Sequence, residues 1–210
     1  MKNQLLNILL NLQYIKRYST HRVNYPQSVA AHSHVVTCLA AIIAECENAR
    51  REENEEKLDM LAIYSKATWH DVPEAMLGDI PAPTKHFDDE MRNKIGEIEK
   101  KLFDEALLHL PREAKKNIRR ATLNCKDGTE GEIIALADLL ERLIYLTEER
   151  RSGNTKFNKV YENTIKQLND KYYGPLVEKY PMARTIMDYF VNEWDQEGDY
   201  ESVDPGPQDK

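Results

Sequence analysis

His70-Asp71-Val72-Pro73-Glu74-Ala75-Met76-Leu77-Gly78-Asp79-Ile80-Pro81 is the stretch that decides how this chain reads. Residues 58–69 before it are apolar at helical spacing. Pro73 cannot continue a helix, because its ring removes the amide donor and crowds the preceding turn, yet it suits the first turn of a new one. The stretch therefore reads as a helix end, a short helix over 73–77, and a loop over 78–87 that carries Pro81 and Pro83. Nothing in it alternates polar and apolar residues with the period of two that a half-buried strand needs.

The same pattern extends outward. Residues 3–17 carry Leu5, Ile8, Leu9, Leu12 and Ile15 as a helical stripe, and residues 19–27, with Asn24 and Pro26, read as a loop. Ser28 is placed to cap a helix running from Val29 to about Arg51. A charged, solvated stretch (50–57) leads to the helix over 58–70. Residues 88–110 are amphipathic, with Ile95, Ile98, Leu102, Phe103, Ala106 and Leu107 expected inward. A shorter helix spans 111–124. Another starts at Thr129 or Glu130, runs to about Arg151, and is closed by Ser152-Gly153-Asn154. Residues 158–194 read as two helices broken near Tyr180-Pro181. The expected fold is all-α, a helical bundle formed by one domain over 1–194, followed by a disordered acidic tail over 195–210.

A chain of 210 residues with 41% hydrophobic and 31% charged residues falls in the range of a soluble globular domain. No run of unbroken apolar residues approaches the roughly 18 that a membrane span needs, so no membrane partner is expected. Residues 5–12 are interrupted by Asn7 and Asn11 and lack a small-residue cleavage site, so no signal peptide is expected. Cys38, Cys46 and Cys125 form neither an even set nor a CxxC, which reads as reduced thiols and a cytoplasmic setting. The net charge of −7 argues against a nucleic-acid polymer as partner, which wants a basic face. A nucleotide stays open, since a small phosphate ligand needs only a few local cations and a metal.

His70 and Asp71, near a helix end, can lean toward one point. His32 and His34 form a His-x-His at the start of another apolar helix, and side chains two apart point to nearly opposite sides, so spacing does not choose between them. Asp138 sits in Ile133-Ile-Ala-Leu-Ala-Asp138-Leu-Leu, where a carboxylate is costly unless paired, hydrogen-bonded or metal-bound. Two imidazoles and two carboxylates suffice for a divalent metal (Co, Mn, Zn, Fe, Ni or Mg) that activates water against a phosphate ester. The bland alternatives are an Asp138–Arg142 pair at i,i+4, and solvated faces for the basic residues, including the Lys115-Lys116 and Arg119-Arg120 cluster.

The series Ser28-Val29-Ala30-Ala31-His32-Ser33, His70-Asp71-Val72-Pro73-Glu74-Ala75, Gly78-Asp79-Ile80-Pro81-Ala82-Pro83-Thr84-Lys85 and Ala137-Asp138 resembles the HD-domain phosphohydrolases, and within them the YfbR-like 5′-deoxynucleotidases. Glu148-Glu149 and Gly153-Asn154 add to the likeness. The resemblance implies an HD-domain helical bundle with His32, His70, Asp71 and Asp138 as metal ligands, and leaves His34 outside. It implies Glu74 as catalytic acid or base and Asp79 as a second acid near the leaving oxygen. Arg17 and Lys85 would meet the phosphate, and Tyr18 would lie beside the deoxyribose. Two departures stand out: Ala31 where the family often has Glu, and Tyr18 where it often has Trp.

The resemblance implies hydrolysis of a 2′-deoxyribonucleoside 5′-monophosphate at the Pα–O5′ bond, in a protein that forms homo-oligomers. A dNTP triphosphohydrolase, as in small related phage enzymes, breaks the same bond, with Lys85, His86, Arg119 and Arg120 as candidate cations for the extra phosphates. A non-catalytic nucleotide-binding module would more readily have lost a ligand or an acid. A di-iron bundle wants Glu-x-x-His, which none of the six His completes.

Overall fold

The computed structural model describes residues 4–85 and 87–193; His86 and the expected acidic tail over 195–210 lie outside them. Among the described residues the secondary structure is helical, with one isolated antiparallel bridge between Lys16 and Ser28.

Helix α1, Gln4–Asn11, stops well short of residue 17. The reason is tertiary. The chain turns so that the Ile15 and Leu12 carbonyls accept from the Val29 and Ala30 amides at 2.9 and 3.1 Å. Those amides are orphan donors at the start of α2, Val29–Arg50, and satisfying them outweighs continuing the first helix. Ser28 caps α2 as its type predicts, its hydroxyl accepting from the Ala31 amide. Helix α3, Met60–Trp69, is capped by Asp59 in the same way.

Helix α4, Glu74–Leu77, follows Pro73 as expected. The stretch expected as loop contains one helical turn, α5, Ala82–Lys85; Pro83 falls in its first turn, where a missing amide costs nothing. Helix α6 is Asp89–Ala106 and α7 is Arg112–Leu123. Ile95, Phe103 and Ala106 of α6 and Leu107 at its end are buried as expected, whereas Ile98, expected inward, is 41% exposed.

Helix α8, Gly128–Arg151, is the central element. It ends as its sequence signals: Gly153 has φ 85, and the Asn154 and Gly153 amides fold back onto the Glu149 and Arg150 carbonyls at 3.0 and 2.9 Å. Beyond it come three helices where two were expected: α9, Asn158–Leu168, α10, Tyr173–Lys179, and α11, Pro181–Asp188, with a closing π-helical turn Tyr189–Glu193. The additional break falls at Asp170, whose carboxylate accepts from the Tyr172 and Tyr173 amides, both at 2.8 Å.

By length and composition α2 is apolar enough to cross a membrane, with mean hydropathy 1.6, unlike the sequence expectation. Here its Val36, Leu39, Ala40, Ile43 and Ala44 are instead buried in a cluster with Ile63 and Ala67 of α3 and Ile133 to Leu143 of α8. A second cluster joins Ile8 and Leu12 to Val29, Val72 and Phe103. His32 lies between Val29 of one cluster and Val36 of the other, and His70 between Ala67 and Val72. His32, His70 and Asp71 thus occupy the seam between the two apolar clusters, and Asp138 faces them from α8 within the first.

Candidate active site

The first turn of α2, the end of α3 and the middle of α8 bring His32, His70, Asp71 and Asp138 together. The two Nε2 atoms are 3.4 Å apart. Asp71 Oδ2 lies 3.2 Å from His32 Nε2 and 3.1 Å from His70 Nε2, and Asp138 Oδ1 lies 3.5 Å from His32 Nε2. One donor atom each of His32, His70 and Asp138 falls within a 4.8 Å span, a spacing able to hold a divalent metal. His32 is fully buried and His34 is exposed, which settles the choice that spacing left open.

The donor set fits a cation. His70 Nδ1 is 2.7 Å from the Ala67 carbonyl, which only an N–H can satisfy, so the His70 Nε2 lone pair points into the site. His32 Nδ1 is 2.6 Å from Glu141 Oε2 and also meets Arg17 Nη1, which leaves Nε2 as the nitrogen facing the site. Two imidazole Nε2 atoms and two carboxylates facing one point favour a positive charge there, as a proton or as a cation. The electrostatics agree. Burial and the Arg17 charge push the His32 imidazole down, but Asp138, Asp71 and Glu141 outweigh them and hold it well above its usual value. Burial pushes Asp71 and Asp138 up, and the facing imidazoles, with Lys126 for Asp138, hold both well below the usual carboxylate range.

Around this centre, Arg17 donates to Glu141 Oε2 at 2.7 Å and also touches the His32 ring. Tyr18 has φ 54, a left-handed backbone that a bulky side chain rarely takes. Its amide donates to Asp79 Oδ2 at 3.1 Å, and its ring stacks on Tyr145 at 5.2 Å and meets Phe157 edge-on at 5.3 Å. Glu74 opens α4 one turn after Asp71. Burial first, then the Asp71 and Asp79 charges, push its carboxyl up to about 9 against the pull of Arg17 and Lys85; a cation beside Asp71 would draw it back down. Lys85 is tied to Glu99 of α6 at 2.9 Å, and its charge still reaches Glu74 and Asp71.

Sequence reasoning missed three partners. Asp138 pairs with Lys126 at 2.8 Å rather than with Arg142. The turn carrying Lys126 approaches α8 at Gly131, where a Cβ would come within 2.2 Å of the Lys126 backbone, and no local pattern announces that. Glu141, 2% exposed, has a signal in hindsight: a second carboxylate three residues after Asp138 in the same apolar helix. Gln27, which donates to Glu141 Oε1 at 2.6 Å, has none.

The family model for 5′-deoxynucleotidase YfbR-like proteins matches residues 4–192. The chain belongs to this family. Among YfbR-like relatives, a 5′-deoxynucleotidase of Photorhabdus temperata is 30% identical over 154 residues, 71% of this chain and 75% of that protein. One from Shewanella oneidensis is 27% identical over 184 residues, 87% of this chain and 89% of that protein. Among solved structures, an HD-domain phosphohydrolase (lin2634) of Listeria innocua superposes with TM-score 0.72 at 25% identity, covering 93% of this chain and 88% of that one. The cyanophage S-2L HD phosphohydrolase DatZ, bound to dA and one catalytic Zn2+ ion, shares the fold at TM-score 0.59 and 16% identity, covering 90% of this chain and 96% of that one. The protein is thus an HD-domain hydrolase of the YfbR-like family, with a His/Asp group suited to a divalent metal.

Proposed function

We propose that this YfbR-like protein hydrolyses 2′-deoxyribonucleoside 5′-monophosphates at the Pα–O5′ bond, with His32, His70, Asp71 and Asp138 as metal ligands. The observation that carries the reading is the convergence of both Nε2 atoms and the Asp71 carboxylate within 3.4 Å, each imidazole having its Nδ1 hydrogen-bonded away from the centre. A divalent cation there supplies a lowered pKa for a bound water and a counter-charge for a phosphate oxygen.

The chain's own groups do the rest. Arg17, held in place by Glu141, presents the rest of its guanidinium to phosphate oxygens. Glu74 and Asp79 are the acids that move protons at the attacking water and the departing O5′. Tyr18, fixed by the Asp79 hydrogen bond and the Tyr145 ring, walls the sugar. Of the cations offered for β and γ phosphates, Arg119 is paired with Asp104 at 2.7 Å, away from the site, which supports the monophosphate; Lys85, paired with Glu99, keeps its charge within reach of Glu74 and Asp71.

A homo-oligomer belongs to the same proposal, supported by Leu6, Leu10 and Tyr14, which recur every four residues and are 58%, 61% and 71% exposed. A monomer mass by light scattering would remove that part.

The test is product analysis. Metal-stripped protein is reloaded with Co2+, Mn2+ or Zn2+ and offered each dNMP and dNTP, with ribonucleotides as controls. Deoxynucleoside and phosphate from dNMPs are expected. Deoxynucleoside and triphosphate from a dNTP would replace the reading with a triphosphohydrolase, and metal binding without turnover would replace it with a binding module.

A further inference from the structure

We propose that Glu141 is a positioning residue for this reaction: its one carboxylate turns the His32 ring toward the metal position and holds the Arg17 guanidinium beside it. The inference rests on the metal and phosphate roles proposed above. Oε2 lies 2.6 Å from His32 Nδ1 and 2.7 Å from Arg17 Nη1, and Oε1 accepts from Gln27 Nε2 at 2.6 Å. The group is 2% exposed, and a buried carboxylate persists only with such partners.

The two imidazoles differ in what aims them. His70 Nδ1 is served by the Ala67 carbonyl of its own helix, so α3 alone sets that ring. His32 has no such local support: Ala31 before it is exposed and apolar, and its ring is oriented by a carboxylate on α8, 109 residues away in sequence. With Glu141 and Arg17 engaging Nδ1, the ring is turned so that Nε2 faces Asp71 and Asp138. Arg17 stands in a turn rather than a helix, so its guanidinium also depends on this carboxylate and on Gln27. Without Glu141 a guanidinium and an imidazole would share a buried space with no counter-charge between them. One residue therefore links the site for the cation to the site for the phosphate.

The experiment compares Glu141→Gln, Glu141→Asp and Arg17→Ala with the wild type in the full chain. Three readouts are Co2+ affinity by calorimetry without substrate, the Co2+ visible absorption band, and kcat and KM for a dNMP at saturating metal. Glu141→Gln is expected to weaken Co2+ about 10- to 100-fold, shift the absorption band and raise KM. Arg17→Ala is expected to raise KM while leaving Co2+ affinity near wild type, and Glu141→Asp to recover part of both losses. Should Glu141→Gln fail to fold, Gln27→Leu, which leaves the carboxylate but removes its Oε1 donor, is expected to move both readouts the same way by a smaller factor. Wild-type Co2+ affinity, band and KM in Glu141→Gln, or in Gln27→Leu if that variant stands in, would overturn the proposal. A wild type that binds no Co2+ would overturn the reading of the site beneath it as well.

Discussion

Single side chains at this site work by orientation. His70 and Asp138 come from different helices, yet each faces the same few ångströms, so His70→Ala or Asp138→Ala is expected to abolish metal binding and turnover together. Metal content of the purified variants, measured beside dNMP hydrolysis, checks this, and full activity in either would sink the ligand assignment. Tyr18 is a different case. Its left-handed backbone costs roughly 1–2 kcal/mol for an L-residue, and the Asp79 hydrogen bond and the Tyr145 and Phe157 rings hold it there. Tyr18→Ala is expected to keep the metal and narrow the preference for deoxyribo- over ribonucleotides by removing the wall beside the sugar. An unchanged dNMP/NMP ratio would leave Tyr18 a packing residue only. Asp138 was legible in the sequence because a carboxylate interrupts an apolar helix, whereas His32, His70 and Asp71 were legible as a set through the motif's resemblance to the HD-domain phosphohydrolases. Glu141 obeys the same rule as Asp138, a second carboxylate buried in the apolar run of α8, but its partners Arg17 and His32 lie more than 100 residues away in sequence.

Elements place those side chains, and here local rules and tertiary demands separate. The caps Ser28, Asp59 and Gly153 act where their residue types say they should. Helix α1 does not obey its stripe, because the carbonyls of residues 12 and 15 are needed at the α2 N-terminus. That early stop puts Arg17 and Tyr18 in a turn and so within reach of α8 and Asp79. On α8, Gly131 lets the preceding turn approach closely enough for Lys126 to sit on Asp138. Gly131→Ala is expected to overpack this contact and cost about 1–3 kcal/mol, read as a lower denaturant midpoint, with weakened metal binding if the Lys126 turn moves. A variant as stable as wild type would show that the turn yields freely.

Across the molecule, Glu149 ties the ends of the site region together. It is fully buried, and it accepts from the Asn24 and Tyr25 amides, the Asn154 side chain and the Tyr145 hydroxyl. Burial pushes its carboxyl up, and these donors outweigh burial and hold it below the usual glutamate value. Because the folded value is the lower one, the stabilisation is complete above the unfolded glutamate range near ~4.3 and is lost as pH falls through the folded value. Glu149→Gln should therefore lower the melting temperature at neutral pH and flatten its fall on the acid side. Parallel wild-type and variant melting curves from neutral to acid pH would remove Glu149 from that role. The sequence by itself determined the helical class, most helix boundaries, the caps and Asp138 as an acid needing a partner, since periodicity, capping chemistry and the cost of a charge in an apolar run are local properties; its motif resemblance supplied the full candidate ligand set. Only the tertiary structure decided which histidine of the His-x-His turns inward, where α1 ends, and that Lys126, Glu141 and Gln27 serve the site. Those outcomes depend on hydrogen bonds and close approaches between segments as much as 100 residues or more apart, as from Arg17 to Glu141, and no local pattern encodes such a distance.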